Sequence, residues 1–128
     1  MIILACGDRN WTDFLAIYTT LQQYQNKATL IVHGGARGAD TLAGEAAEAL
    51  YLPIKVFRAN WDAHGKAAGP IRNIEMFKKS NPDLVIAFHD KLSSSKGTKH
   101  MVDYARSRGA KVILVSSKLE ITEFVTLM

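Results

Sequence analysis

Residues 29–47 read TLIVHGGARGADTLAGEAA, and three kinds of segment follow one another within them. Leu30, Ile31 and Val32 form a short apolar run suited to a buried strand. Gly34, Gly35, Ala36, Arg37 and Gly38 make a glycine-rich turn, and from Ala39 onward an alanine-rich segment has strong helix propensity. Strand, glycine turn and helix in that order form an anion site. Glycine lets the backbone approach a ligand, and the N–H groups of a helix's first turn point at negative charge. Arg37 adds a planar fork shaped for phosphate. Asp40 stands where an N-cap, or an acceptor for ribose hydroxyls, would stand. The same residues also suit a plain tight turn with a capped helix.

On either side the alternation repeats. Residues 2–6 are continuously apolar, as in a strand buried on both faces. Thr12 offers an N-cap for a helix to about residue 25, with Phe14, Leu15, Ile17, Tyr18 and Leu21 on its apolar side. The helix after the glycine turn extends to about Leu50, and residues 54–57 give a third strand. Residues 58–69 read as a long irregular loop, followed by a helix from Pro70, its first-turn proline, to about Lys79. Residues 84–88 form a fourth strand, 89–97 a polar loop, 98–108 a helix ended by Gly109, and 111–115 a fifth strand. Residues 119–127 suit a short helix or an edge segment. This alternation predicts a single α/β domain over residues 1–128, with a five-stranded, mainly parallel sheet covered on both faces. Such sheets bind ligands at the carboxyl ends of their strands, near a topological switch point. The loops after the first four strands therefore converge on one rim.

Bulk properties narrow the class. The chain has 128 residues, ordinary globular composition and a net charge of +4. No apolar run approaches the roughly 20 residues of a membrane helix, and MIILACGDRNW lacks the basic n-region of a signal peptide. Cys6 is the single cysteine, which fits a cytoplasmic setting, and its place after an apolar run suits a packed thiol better than a nucleophile. Residues 1–50 carry three basic and five acidic side chains, whereas residues 51–128 carry thirteen and seven. A basic second half suits anionic ligands. It lacks the Lys/Arg stripe with interleaved aromatics that would argue for nucleic acid.

The rim loops hold the unusual residues. In the first, Gly7 lets a ligand approach and Arg9 can pair with phosphate, while Asp8 and Asn10 equally suit a turn with Trp11 as a lid on the core. The third loop carries Trp61, able to stack on a base, and His64, able to titrate. Loops of that length are more often functional than not. It closes on Gly69 and Pro70 and sets Arg72 and Asn73 in the first turn of a helix, where the dipole does not favour a cation. The fourth, with Ser95, Lys96, Gly97 and Thr98, is either a phosphate cradle or a flexible loop. Neither glycine turn matches the P-loop or the dinucleotide pattern. His33, His64, His89 and His100 lack ligand spacing, so no metal is expected.

Together, HGGARGADTLA, NWDAHGKAAGPIRNIEM and KGTKHMVDYARSRG resemble the SLOG superfamily and, more narrowly, its small YspA/YpsA-like members, from residue 1 to about 115. The resemblance implies a Rossmann-like three-layer sandwich that binds nucleotides or nucleotide-derived ligands, with no further cofactor, often as a homo-oligomer. The LOG-type phosphoribohydrolases are relatives in that superfamily. Their glycine signature is similar to residues 34–38, and their catalytic arginine would fall on Arg72. Their second signature would align with residues 93–101, where Met101 takes the place of the catalytic glutamate. Three functions follow as expectations. The first is a nucleotide-ligand binding protein, a sensor or sequestering protein, using residues 34–39 and 95–98 with Arg37, Arg72 and Lys96 on phosphate, Asp40 on ribose, and Trp61 or His64 on the base. The second is a hydrolase acting on a nucleotide N-glycosidic or phosphoester bond, with Arg72 as stabiliser and Asp8 or Asp40 as carboxylate. The third is a DNA-processing accessory module.

Overall fold

The structure is a computed structural model in which residues 1–124 are described. Eleven α and β segments follow in order: β1 (Ile2–Gly7), α1 (Phe14–Gln22), β2 (Leu30–His33), α2 (Ala39–Ala49), β3 (Ile54–Val56), α3 (Trp61–His64), α4 (Ala68–Ser80), β4 (Leu84–Phe88), α5 (Gly97–Ser107), β5 (Lys111–Val115) and β6 (Ile121–Phe124). The sheet order is β3-β2-β1-β4-β5-β6. All pairs are parallel except β5 with β6. The chain winds outward from β1 to β3, then returns to the middle as β4 and winds the other way. The switch point therefore lies between β1 and β4.

Strand alternation divides the core in two. Ile3, Ala5, Ile31, Ile86 and Phe88 face α1 and α2, whereas Leu4, Cys6, Val32, Val85 and Val112 face α4 and α5. These central strands are buried on both sides, as their unbroken apolar runs require. The α2 contact is made by small residues, with Ala39, Ala43, Gly44, Ala46 and Ala47 all buried. A Cβ at Gly44 would stand 2.7 Å from His33 Nε2, so that helix lies close against β2.

Several boundaries differ from the sequence reading. The sheet has six strands rather than five. Ser116 Oγ accepts the Lys118 and Glu120 N–H groups, and this turn sends the chain back antiparallel along β5. The edge-segment alternative for residues 119–127 holds through residue 124, and residues 125–127 lie outside the described ones. Asp13, not Thr12, caps α1 through its bond from Ala16 N, and that helix stops at Gln22. Residues 58–69 are not irregular throughout: Asn60 Oδ1 accepts from Ala63 N to start α3, and a 3₁₀ turn, Gly65–Ala67, leads into α4. Because α4 begins at Ala68, Pro70 is its third residue, and Arg72 and Asn73 lie beyond its first turn. The polar fourth loop likewise holds a 3₁₀ turn, Leu92–Ser94, and α5 starts one residue early, at Gly97.

Candidate functional site

A cleft of about 530 Å³ opens at the carboxyl ends of β1, β2 and β3, facing the N-terminal parts of α4 and α5. Its floor is Cys6, Met76 and Met101, all buried. Gly7, Gly34, Gly35 and Ala36 edge the strand side. Gly69, Pro70, Arg72 and Asn73 edge the α4 side, and Lys96, Gly97 and Thr98 the α5 side. Arg9, Arg58, Ala59, Trp61 and Lys66 complete the wall. Trp61 is 55 % exposed, and its indole leans over Gly69, 3.6 Å from where a Cβ would sit.

Arg72 ties these walls together. Its Nη1 donates to the Gly34 carbonyl at 2.6 Å and more distantly to Phe57 O at 3.5 Å, and its Nε donates to Asn73 Oδ1 at 3.0 Å. Asn73 Nδ2 in turn donates to Gly97 O at 3.3 Å and faces His100 Nδ1 at 3.2 Å. One helix thus fixes the end of β2, the end of β3 and the start of α5. Gly34 has to be glycine for this contact, since a Cβ there would lie 2.7 Å from Arg72 Cζ and 2.9 Å from Asp40 Oδ2.

Asp40 turns inward rather than towards the opening. Gly38 occupies the N-cap position of α2 without a side-chain bond, and Asp40 Oδ2 accepts the N–H groups of Gly34 at 3.1 Å and Ala36 at 3.3 Å. Burial pushes its carboxyl up to about 6, against the Ala36 N–H, the Arg72 charge and the Gly34 N–H, which all favour the ionised form. Two more donors of the turn are also committed: Gly35 N–H to His33 Nδ1 at 3.0 Å, and Ala39 N–H to Asp8 O at 3.0 Å. Burial, then the Arg58 and Arg72 charges, hold His33 below its ordinary value, so the ring is neutral and free to accept that bond. The expected cradle of N–H groups at residues 34–39 is therefore largely engaged within the protein. What faces the cleft instead is side-chain cation.

Of the residues singled out from sequence, the cleft brings together Gly7, Arg9, Gly34, Gly35, Ala36, Asp40, Trp61, Gly69, Arg72, Asn73, Lys96, Gly97 and Thr98. Six others do not line it. Arg37 reaches back to Asn10 Oδ1 at 3.2 Å. Gly38 packs under the Asp8 and Arg9 carbonyls with φ +78°, and Ala39 is buried beneath them. His64 is exposed on α3. Ser95 Oγ accepts the Thr98 N–H at the start of α5. Asp8 Oδ1 accepts the Asn10 N–H, and its Oδ2 stands 4.0 Å from Nε2 of the buried His89 at the β1–β4 switch point. Arg58 lines the cleft without having been singled out, and Lys66, Met76 and Met101 line it although the sequence gives none of them a ligand-binding role. Arg58, whose Nη1 donates to Gly35 O at 3.3 Å, sits two residues beyond β3 with no motif around it. Cys6 is a packed thiol as expected, its proton held more tightly by burial, although it also floors the cleft. Among the described residues no group of His, Cys, Asp or Glu is arranged to hold a metal ion. Among the described residues no helix is long and apolar enough to cross a membrane.

Comparison with known proteins places this architecture. A family model described as the YspA, cpYpsA-related SLOG family matches residues 1–64. The Gene 61 protein of Mycobacterium phage D29 is 36 % identical over 124 residues, spanning 91 % of this chain and 97 % of that protein. Among solved structures, the chain is similar to DNA processing protein A (DprA) from Streptococcus pneumoniae, with a TM-score of 0.71 and 18 % identity, over 88 % of this chain and 49 % of that one. The likeness to DprA is one of fold, and the chain spans about half of its length.

Proposed function

The chain belongs to the YspA, cpYpsA-related SLOG family, and on that premise we propose that it binds a nucleotide or nucleotide-derived ligand, as a sensor or a sequestering protein. The observation that carries the reading is a cleft at the strand carboxyl ends with Arg9, Arg72 and Lys96 on three separate walls and a half-exposed indole at its mouth. Guanidinium and ammonium groups there meet phosphate oxygens with charge-assisted bonds. Trp61 offers a face for a base, and the thioethers of Met76 and Met101 give the buried part of the ligand an apolar bed.

Binding without turnover is favoured by the carboxylates. Asp40 is the one carboxylate among the lining residues, and it is engaged by the glycine turn. Position 101, where the LOG-type pattern carries glutamate, is a thioether with no proton to transfer and no charge to set against an oxocarbenium-like centre. The test is mass spectrometry of the small molecule that co-purifies with the chain, followed by incubation of the protein with that compound. A nucleotide recovered intact, whose binding weakens by about 2–4 kcal/mol in Arg72→Ala, supports the reading. A free base with sugar phosphate, formed at a rate that Arg72→Ala abolishes, replaces it with the hydrolase. Light scattering of the purified chain tests the homo-oligomer that the resemblance implies.

A further inference from the structure

Resting on the nucleotide-binding reading, we propose that the ligand is a nucleotide with a terminal di- or triphosphate, rather than a monophosphate or a nucleotide whose diphosphate is bridged to a second sugar. Five cations, Arg9, Arg58, Lys66, Arg72 and Lys96, line the cleft against one carboxylate, Asp40. They come from five segments: the loop after β1, the end of β3, the 3₁₀ turn, α4, and the residue before α5. Among the described residues none of the five has a carboxylate oxygen within 4.0 Å. The pairs that do form, Lys79 with Glu75, Lys99 with Asp103 and Lys111 with Glu123, all lie outside the lining. The protein thus pairs charge elsewhere and leaves it unpaired where five like charges converge. Such convergence is unfavourable without an anion to share it, and a concave wall focuses its field on whatever enters.

The amount and distribution of this charge select the anion. A phosphomonoester carries about −1.5 to −2 at neutral pH, and a bridged diphosphate, with one charge on each phosphate, carries about as much. Either leaves about two cations of the wall unanswered. A terminal di- or triphosphate carries about one or two further charges. Nor does the cleft offer a compact nest for a single phosphate, because Gly34, Gly35, Ala36 and Ala39 have their N–H groups committed inside the fold. Cations spaced around a wall fit an extended chain of phosphates instead.

The test is titration calorimetry of the full chain with the mono-, di- and triphosphates of adenosine and guanosine and with ADP-ribose, in about 0.15 M salt and without divalent cations. The expected order is monophosphate weakest and triphosphate tightest, by roughly tenfold or more, with ADP-ribose close to AMP. A second arm uses the double variant Lys66→Gln, Lys96→Gln, two exposed side chains whose loss leaves the core untouched. In it the triphosphate-to-monophosphate ratio should shrink several-fold. A monophosphate or ADP-ribose binding as tightly as the triphosphate overturns the proposal and leaves the nucleotide reading standing. An unchanged ratio in the double variant overturns it too. If no nucleotide binds the folded chain, the nucleotide reading falls with it.

Discussion

Replacing Asp40 with Asn removes a carboxylate from a nearly closed site, yet keeps an oxygen able to accept from the same Gly34 and Ala36 N–H groups. Burial raises the folded-state pKa of Asp40 from its ordinary 3.8 to about 6. Between those values the folded chain binds the proton more tightly than the unfolded chain, so stability falls as pH rises. The contribution is fully present below about pH 3.8 and is lost as the pH passes through about 6. Across the whole interval it amounts to about 3 kcal/mol, of which about 1.4 kcal/mol is recovered between pH 7.5 and pH 5. The Asn side chain does not titrate. Asp40→Asn should therefore be more stable than wild type at pH 7.5, by about 1–3 kcal/mol, and should lack that part of the pH dependence. Urea unfolding followed by circular dichroism at pH 7.5 and 5.0, on both chains, isolates the effect, because every other titrating group cancels in the double difference. Equal pH dependence in the two proteins, or a variant less stable than wild type at pH 7.5, would refute the placing of a high-energy carboxylate at position 40.

Other perturbations follow from the same geometry. Gly34→Ala drives a methyl group into the Arg72 guanidinium and the Asp40 carboxylate. It should cost about 1–3 kcal/mol in urea unfolding and weaken nucleotide affinity; full stability would show that the Arg72 contact is loose. Trp61→Ala, at a half-exposed position, should leave the thermal midpoint nearly unchanged while nucleotide binding falls by about 1–3 kcal/mol, as read by calorimetry. Unaltered affinity would move the base elsewhere. Cys6, buried and with its thiol pushed up, should resist iodoacetamide in the native chain at pH 8 and react only in denaturant, as followed by intact-mass spectrometry. Rapid native labelling would show that the cleft floor opens.

The strands were legible because burial on both faces leaves unbroken runs such as Ile3 to Ala5 and Leu84 to Phe88. Their order was not, since pairing partners leave no local mark. Helix starts moved where two adjacent residues could both cap, as with Thr12 and Asp13, or where small residues extend a helix in front of a proline, as Ala68 and Gly69 do. A four-residue helix such as α3 is too short to show a period at all. In β6, Ile121, Thr122 and Glu123 are exposed, so no buried stripe announced a strand. At the site, residue types were readable but directions were not. Asp40 faces the turn and Arg37 faces Asn10 because of how the loops after β1 and β2 lie against each other. Arg58 carries no motif, and Met101 stands out only as a departure from a catalytic pattern; they reach the cleft through the end of β3 and the seating of α5 over the sheet.

The small residues on the inner face of α2 carry one further consequence. Of Ala39, Ala43, Gly44, Ala46 and Ala47, Ala39 and Gly44 touch the strand ends that shape the cleft, yet none of the five lines it. Each alanine codon is a single base from valine and from threonine, so ordinary drift keeps offering this helix a wider side chain. Any one accepted would push α2 outward and carry the glycine turn with it. The shape of the cleft therefore depends on a surface that lies outside its lining. A laboratory screen for lost binding should recover a good share of its hits there, where a survey of the pocket alone would not look.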